Sequence, residues 1–277
     1  MPPRFDLAAL RRAVRAFAPL EALVQPAYFG LERAPARGPA LYVGNHSLYG
    51  IFDAPFLYAK LLTERGVALR ALGDHLHFKV PLWSRFVTTM GVVDGTRENC
   101  AALFRAGESV LVFPGGARET AKRKHERYRL VWKERTGFAR MAIEHGATVV
   151  PFAAVGVEDA WDVVLDADDV MRGPVRRAVE SLGMRSEVMM PLAKGIGPTP
   201  LPRPERLYFD IGEPIDVARW SGRHDDPAAC RELRDLTRSA VEDGIARLRE
   251  YQSTDPDRPL RRRIARALRG SRAVTPR

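Results

Sequence analysis

Short apolar runs alternate with amphipathic stretches along most of the chain. Five apolar runs have the length and composition of buried strands: residues 40–44, 67–73, 109–113, 147–155 and 206–211. Stretches with apolar residues at helical spacing occupy residues 54–65, 80–90, 97–106, 136–145 and 230–251. The alternation predicts an α/β fold, with a mixed, largely parallel central sheet flanked by helices on both faces.

The two ends of the chain are predicted to form amphipathic helices. Residues 5–20 place Leu7, Leu10, Val14 and Phe17 on one face. Residues 260–277 contain seven arginines and no acidic residue. The first helix is expected to pack on the domain, with a position on a bilayer as the alternative. For the second segment, lying on an anionic membrane and being a solvated helix end both remain open.

We predict one folded domain over residues 26–253, preceded by the amphipathic helix of residues 1–25 and followed by the basic tail of residues 254–277. The segment 191–206 contains five prolines and two glycines, which predicts a loop. We interpret this loop as part of the single domain and not as a linker between two domains.

Composition restricts the class of protein and its cellular location. The chain has 277 residues, of which 45% are apolar, which is enough to bury a large core. Its longest apolar stretches fall well short of the ~20 residues that a membrane-spanning helix needs. Cys100 and Cys230 stand far apart without nearby metal-ligand spacing, so neither a disulfide framework nor a metal site is expected. These features favour a cytoplasmic protein.

The charge of the chain favours anionic partners. The net charge is +10, from 44 basic and 34 acidic residues. Lipid headgroups, nucleic acid and phosphorylated molecules would all fit such a charge. The arginine-rich tail lacks the interleaved aromatic residues typical of single-strand binders, and the chain has no recognisable groove-reading motif. We therefore expect no nucleic-acid partner.

The first candidate site follows the apolar run at 41–43, where Asn45 and His46 precede Asp53. A histidine supported by a carboxylate can act as a general base, because the carboxylate fixes the imidazole tautomer. A straight helix would separate His46 and Asp53 by about 10 Å, so their contact requires a turn near Gly50. Asp53 also precedes Ala54 and Pro55, so it has an alternative interpretation as a helix cap.

Three further clusters follow apolar runs. Gly115 and Gly116 sit in a Phe-Pro-Gly-Gly segment, where glycines allow backbone N–H groups to approach a ligand, and Arg118 follows as a donor to anions. Arg97 follows the turn-rich segment 91–96. Val149 to Phe152 form a Val-Val-Pro-Phe run that by itself indicates only a buried strand.

Taken in this order, the four clusters resemble the lysophospholipid and glycerolipid acyltransferase superfamily. Members of that superfamily carry an Asn-His box with a following Asp, then a Gly-rich block ending in Arg, a Phe-Pro-Glu-Gly-Thr-Arg block and a Val-Pro strand. The resemblance covers residues 38 to 215 and ends at a Gly-Glu-Pro-Ile turn.

The chain departs from the superfamily pattern at two positions. Six residues separate His46 from Asp53, where the family has four, and Gly115 stands where the family has Glu. The Phe-Pro-Gly-Gly version is similar to the branch with monoacylglycerol and diacylglycerol acyltransferases and phytyl ester synthases. This likeness favours a less charged acceptor.

The resemblance implies transfer of a fatty acyl group from acyl-CoA or acyl carrier protein to a hydroxyl of a glycerolipid or related lipid. His46 would be the general base and Asp53 its partner. Substrate-binding roles would fall to Asn45, Arg97, Gly115, Gly116 and Arg118. No metal and no cofactor beyond the acyl donor is implied.

Two further expectations concern how the protein works in the cell. The enzyme would sit peripherally on the inner face of an anionic membrane, and the sequence leaves its oligomeric state open. The alternative function is a non-catalytic lipid-binding or scaffolding protein on the same fold, which the altered His-Asp spacing suggests.

Overall fold

The computed structural model describes residues 6–50, 52–170 and 186–272, together with residues 177 and 181. Its centre is a seven-stranded sheet with the strand order β1-β9-β6-β2-β5-β3-β4, and β7 pairs with β8 in a separate two-stranded sheet. The strands are β1 (Ala27–Phe29), β2 (Ala40–Gly44), β3 (Leu69–Gly73), β4 (Val93–Asp94), β5 (Ser109–Val112), β6 (Thr148–Val155), β7 (Asp162–Leu165), β8 (Leu192–Lys194) and β9 (Tyr208–Ile211).

Five neighbouring strands of the central sheet are parallel. β2 pairs with β5 on one side and with β6 on the other, and β5, β3 and β4 continue in the same direction. β9 is antiparallel to β6, and β1 runs parallel to β9. The sheet is therefore mixed and largely parallel, as the sequence predicts. Because the carboxyl ends of the five parallel strands share one edge, the segments that follow them are brought together there.

Helices cover both faces of the central sheet. The α-helices within the described residues are α1 (Leu7–Ala16), α2 (Ala18–Val24), α3 (Asp53–Lys60), α4 (Pro81–Thr89), α5 (Arg97–Arg105), α6 (Gly116–Thr120), α7 (Gly137–His145), α8 (Ala167–Val170), α9 (Pro227–Thr254) and α10 (Leu260–Arg272). α5, α7 and α9 contribute to the apolar core on one face, whereas α1, α2 and α3 contribute to the core on the other face. None of the helices in the described part of the chain is long and apolar enough to cross a bilayer.

Strand β2 shows why the central runs contain almost only apolar residues. Leu41 and Val43 belong to one core, and Ala40 and Tyr42 belong to the other. Alternate side chains of a strand point to opposite faces, so a strand covered on both sides needs apolar residues at every position. This requirement produces the uninterrupted runs from which the strands are predicted.

Several elements differ from the sequence-based predictions. The N-terminal helix is interrupted at Phe17, and α2 begins with a proline in its first turn. The helix predicted over 54–65 continues past α3 as a π-helical segment at Leu61–Arg65. β4 forms within the turn-rich segment 91–96, and β8 forms within the proline-rich loop. Both are short strands at sheet edges, where pairing with a neighbour outweighs a weak local preference.

The basic C-terminal segment packs on the domain through one buried arginine. Arg263 of α10 donates hydrogen bonds to the carbonyl oxygens of Leu23 and Val24, both at 2.7 Å, and to that of Pro204. Arg263 is therefore held by the domain, which neither of the two alternatives for this segment includes, and membrane binding by the segment stays a prediction. Residues 1–5 and 273–277, the outer ends of the two predicted terminal segments, lie outside the described residues.

Candidate active site

His46 and Asp53 lie in contact at the carboxyl end of β2. The Nδ1 atom of His46 is 2.9 Å from Oδ2 of Asp53, and that same oxygen accepts a hydrogen bond from the backbone N–H of Ser47 at 2.8 Å. The Asp53 side chain is fully buried, whereas 16% of the His46 side chain remains exposed. The imidazole is thus fixed through Nδ1 and accessible from outside, as a general base must be.

The turn at Leu48–Gly50 brings the two side chains together. Tyr49 and Gly50 both adopt left-handed backbone conformations, with φ values of 64° and 63°. A Cβ atom on residue 50 would lie 2.5 Å from Cε1 of His46. Only glycine therefore fits between the turn and the imidazole. The sequence-based prediction of a turn near Gly50 is confirmed.

Asp53 is held in its ionised form. Burial raises its pKa, but the charge and hydrogen bond of His46 and the N–H groups of Ser47 and Ala54 outweigh burial and lower the pKa of Asp53 to about 2. Asp53 is the first residue of α3, and its Oδ1 accepts from the N–H of Ala54 at 3.0 Å. The helix-cap interpretation of Asp53 is wrong, because Phe52 is the N-cap residue and α3 has no side-chain cap bond. The Asp53 carboxylate contacts the imidazole and the adjacent backbone N–H groups instead.

Aromatic packing holds the plane of the imidazole. The rings of His46 and Phe113 stack with centroids 3.9 Å apart and planes inclined by 6°. Phe113 follows β5, the neighbour of β2, and its ring also meets Phe152 of β6 edge-on. Phe113 thus packs against the face of the imidazole, while Asp53 contacts its Nδ1 atom.

Glu119 is a buried acidic residue beside His46 that the sequence analysis did not select. Its Oε2 accepts from the backbone N–H of His46 at 3.3 Å, and its Oε1 accepts from the N–H of Val131 at 3.2 Å. Burial raises the pKa of Glu119 to about 7, against the lowering effect of Lys122, His46 and the two N–H donors.

Gly115 leaves the space that the Glu119 carboxylate occupies. A Cβ atom on residue 115 would lie 2.2 Å from Oε2 of Glu119. The Phe-Pro-Gly-Gly segment therefore allows a carboxylate from one turn further along the chain to reach the backbone of His46. One feature of the sequence points to this arrangement: Gly115 stands at a position where the related motif has an acidic residue.

Asn45 connects β2 to β6. Its Nδ2 donates to the carbonyl of Ala154 at 2.9 Å, and its Oδ1 accepts from the N–H of Ala154 at 2.8 Å. These bonds continue the pairing of β2 with β6 beyond the last paired residue, Gly44. In this arrangement Asn45 is buried and fixes the start of the His46 turn.

Arg118 and Arg97 lie in different environments. Arg118 is buried, and it donates to Oε1 of Glu126 at 2.5 Å and to the carbonyl of Ala121 at 3.2 Å. Arg97 is exposed at the start of α5, and no ion pair joins it to an acidic side chain in the described part of the chain. Of the two arginines, Arg97 is the one available to an external anion.

A cavity of about 370 Å³ lies next to Arg97. Apolar side chains from β2, β3, α5 and α7 line most of it, including Leu41, Leu72 and Met141. Arg97 and Arg135 are the basic residues among its lining. An apolar space with cationic groups beside it fits a molecule with a hydrocarbon part and an anionic part.

Arg135 is a second residue that the sequence analysis did not select. Its Nη1 donates to the carbonyl oxygens of Pro114 and Gly115, at 2.7 and 2.8 Å. The backbone N–H of Gly116 donates to the carbonyl of Phe113 at 2.9 Å, which closes the turn. Arg135 and this turn hold the glycine segment against the cavity. Because Arg135 lies in a polar loop, no sequence pattern distinguishes it from a surface arginine.

Comparison with known proteins agrees with this geometry. The family model for the acyltransferases matches residues 26–155. Phytyl ester synthase 2 of Arabidopsis thaliana is 34% identical over 247 residues, which cover 83% of this chain and 35% of that protein. The human DGAT1/2-independent enzyme synthesizing storage lipids is 33% identical over 132 residues, which cover 48% of this chain and 40% of that enzyme. Residues 26–155 therefore form an acyltransferase-family domain.

The fold agrees with a solved acyltransferase structure. The crystal structure of the 1-acyl-sn-glycerophosphate acyltransferase PlsC from Thermotoga maritima superimposes with a TM-score of 0.50 at 16% identity, covering 84% of this chain and 78% of that one. The chain spans about a third of the length of the phytyl ester synthases that it matches. The acyltransferase match at 26–155 contains every predicted site residue, from Asn45 to Arg118.

Proposed function

We propose that this protein transfers a fatty acyl group from an acyl thioester to a hydroxyl group of a lipid acceptor. The observation that carries the proposal is the 2.9 Å contact between His46 and a buried, ionised Asp53, at the sheet edge where the apolar cavity also lies. The match of residues 26–155 to the acyltransferase family supports the same chemistry.

In the proposed reaction, Nε2 of His46 removes the proton from the acceptor hydroxyl while Nδ1–H donates to Asp53. The resulting oxygen nucleophile attacks the thioester carbonyl and forms a tetrahedral intermediate. The C–S bond then breaks, and the leaving thiolate takes the proton from the imidazolium. The Asp53 carboxylate stabilises the imidazolium between these two steps.

The cavity and its two arginines are proposed to bind the substrates. The apolar lining would hold a hydrocarbon chain, and Arg97 would bind an anionic group such as the phosphates of a CoA or carrier-protein donor. Arg135 would keep the glycine segment in place beside the reacting carbonyl. We assign Asn45 and Arg118 to positioning, because both are buried in bonds to neighbouring residues.

The acceptor is proposed to be an uncharged lipid, such as an acylglycerol or a long-chain alcohol. The names of two relatives refer to phytyl esters and to storage lipids. Within the chain, Arg118 is buried against Glu126 and is therefore not available to bind an anionic headgroup. No cofactor other than the acyl donor is needed for this reaction.

The enzyme is proposed to act at the cytoplasmic face of an anionic membrane. The net charge of +10 supports attraction to such a surface. Lipid acceptors and long acyl chains are also concentrated there.

A non-catalytic lipid-binding role is less well supported by the structure. That alternative rested on the six residues between His46 and Asp53. The Leu48–Gly50 turn accommodates those residues without separating the two side chains.

The test is an acyl-transfer assay with labelled long-chain acyl-CoA or acyl carrier protein. The acceptors offered are lysophosphatidate, monoacylglycerol, diacylglycerol and a long-chain alcohol. We expect an ester product from an uncharged acceptor. His46→Ala should lower the rate by about 10²–10⁴-fold, the usual contribution of a general base.

Asp53→Asn is the matched variant, because Asn still accepts from the N–H of Ala54 but cannot stabilise an imidazolium. It should still fold, at a cost of about 1–3 kcal/mol because the N–H of Ser47 loses its acceptor, and it should lose most of the activity. Product formation that is unchanged in His46→Ala would disprove the proposed mechanism. Absence of product with every donor and acceptor, from folded protein, would favour the non-catalytic role.

A further inference from the structure

Helix α4 has an apolar outer face. Five large apolar side chains are exposed on this helix and on the turn before it: Leu76 at 62%, Val80 at 56%, Leu82 at 85%, Trp83 at 44% and Phe86 at 46%. The inner side of α4 also buries Val87. A surface helix in water ordinarily carries polar residues opposite its buried side, and the described part of the chain leaves this apolar face exposed.

We propose that these five residues, which we call the α4 patch, insert into the interfacial region of an anionic lipid bilayer. The proposal rests on the proposed function, since it specifies the surface through which the enzyme reaches its lipid substrates. It differs from the expectation that the two ends of the chain make this contact.

The charges around the α4 patch match an anionic bilayer. Lys79 and Arg85 are exposed within the same segment, and the acidic residues nearest to them in the chain are Asp74 and Asp94, at its two ends. Basic residues beside exposed aromatic and aliphatic ones are typical of interfacial helices, where the cations bind lipid headgroups and the apolar side chains enter the acyl region. A protein partner would not require this combination.

The aromatic residues of the α4 patch are held in place before any membrane contact. The indole N–H of Trp83 donates to Nδ1 of His77 at 2.9 Å. The rings of Trp83 and Phe86 lie 5.5 Å apart. An indole with a satisfied N–H and an exposed ring is suited to the headgroup level of a bilayer.

The α4 patch lies beside the candidate active site. The turn at His75–Phe78 follows β3, and α4 leads into β4, after which Arg97 begins α5. Leu72 at the end of β3 and Arg97 both line the apolar cavity. A bilayer bound to the patch would therefore meet the same edge of the sheet as the cavity, and lipid chains would travel a short distance to reach it.

Tryptophan fluorescence gives a direct test, because Trp83 is exposed while Trp132, Trp161 and Trp220 are only 0%, 4% and 1% exposed. The full chain is titrated with vesicles of phosphatidylglycerol and phosphatidylcholine. We expect a blue shift of the emission and quenching by lipids brominated on the acyl chain. His46→Ala should bind vesicles like the wild type, so a failure of the proposed reaction would leave this measurement intact.

The variant Leu82→Ser/Phe86→Ser keeps Trp83 and should weaken vesicle binding by roughly tenfold or more. Leu201→Ser is the matched control, because Leu201 is similarly exposed, at 61%, but lies on the proline-rich loop. Replacing Lys79 or Arg85 by Gln should weaken binding to anionic vesicles by roughly fivefold each and leave binding to neutral vesicles unchanged.

Three results would overturn the proposal. The first is an unshifted emission in the presence of vesicles. The second is equal vesicle binding by the Leu82→Ser/Phe86→Ser variant and the wild type. The third is a dimer in sedimentation experiments that this variant dissociates, because the α4 patch would then be an interface between copies of the chain.

Discussion

The spacing between His46 and Asp53 depends on two residues with left-handed backbones. Tyr49 and Gly50 reverse the chain within the Leu48–Gly50 turn, so that six intervening residues still leave a 2.9 Å contact. The resemblance to the acyltransferases predicted this pair, and the position of Gly50 indicated the turn. The contact between Gly50 and the imidazole could not be predicted from sequence, because it depends on the backbone path of the Leu48–Gly50 turn and on the position of the His46 ring.

Gly50 is predicted to be essential for activity for steric reasons. In Gly50→Ala the new Cβ would lie 2.5 Å from Cε1 of His46 and would displace the ring. A displacement of about 1 Å costs on the order of 10²-fold in rate, so we expect at least that loss in the acyl-transfer assay.

Gly66 provides the matched control for this substitution. Gly66 has a similar φ, 68°, but a Cβ atom on residue 66 would have no other atom within 4 Å. Gly66→Ala should therefore cost about 1 kcal/mol of stability through backbone strain and leave the rate unchanged. Equal losses of activity in the two variants would show that strain, and not contact with His46, is the cause.

The position of the Glu119 carboxylate could not be predicted from the Phe-Pro-Gly-Gly motif. The Phe-Pro-Gly-Gly segment lacks the acidic residue of the related motif, yet the structure has a carboxylate at that place, supplied from position 119. The distance between Gly115 and the Glu119 side chain cannot be read from the sequence, because it depends on the tight turn before α6. Motif comparison at single positions therefore missed the residue.

Glu119 is predicted to make stability depend on pH. Burial is the main reason that the pKa of Glu119 rises from 4.5 to about 7 in the folded protein. Between pH 4.5 and pH 7, Glu119 is therefore protonated in the folded state and ionised in the unfolded state. Stability from this group is complete below pH 4.5 and is lost as the pH rises through 7, by up to about 3 kcal/mol.

Urea unfolding of the wild type and Glu119→Gln between about pH 5 and pH 8 measures this effect. Glutamine does not ionise, so the variant should gain stability relative to the wild type as the pH rises. A constant difference in the free energy of unfolding across this range would mean that Glu119 keeps one protonation state throughout.

At the scale of elements, burial on both faces determined what the sequence could predict. The strands Ala40–Gly44 and Thr148–Val155 lie in the middle of the sheet, and their apolar runs match the observed bounds to within one residue. The edge strands Ala27–Phe29 and Val93–Asp94 are short, and they form because a neighbouring strand offers backbone partners. Such pairing is a tertiary effect that leaves little trace in local sequence.

Helix α10 is predicted to depend on Arg263 for its attachment. The side chain is 1% exposed and donates to carbonyl oxygens of Leu23, Val24 and Pro204. Arg263→Ala would remove the donor from these three carbonyl oxygens, of which the Val24 oxygen is in a buried contact, and should cost about 2 kcal/mol. Thermal unfolding and the rate of proteolysis within residues 256–272 would measure the loss.

Arg262 is the neighbouring control, because it is exposed on the same helix and carries the same charge. Arg262→Ala should change stability by no more than about 0.5 kcal/mol. If both variants were equally stable, the attachment of α10 would depend on its apolar contacts and not on the buried guanidinium.

At the scale of the whole molecule, the parallel strands gather the candidate site and the α4 patch at one edge. His46 follows β2, Phe113 follows β5, and the exposed turn and helix follow β3. The sequence predicted the sheet and the order of the motifs, but the apolar outer face of α4 emerged only from the packing. A pattern of apolar residues shows that a helix has an apolar face, and the fold decides whether that face is covered.

The net charge of +10 predicts that salt will weaken action on membranes without affecting the chemistry. Raising the ionic strength from about 0.01 M to about 0.15 M shortens the screening length from about 30 Å to about 8 Å, so attraction to anionic vesicles should fall. The apparent KM for an acceptor in such vesicles should rise several-fold while kcat stays constant. A short-chain acceptor dissolved as monomers is the control, because its encounter with the enzyme does not require membrane binding. An equal increase in KM for both acceptors would place the effect of salt at the binding site itself, where Arg97 is the exposed cation beside the cavity.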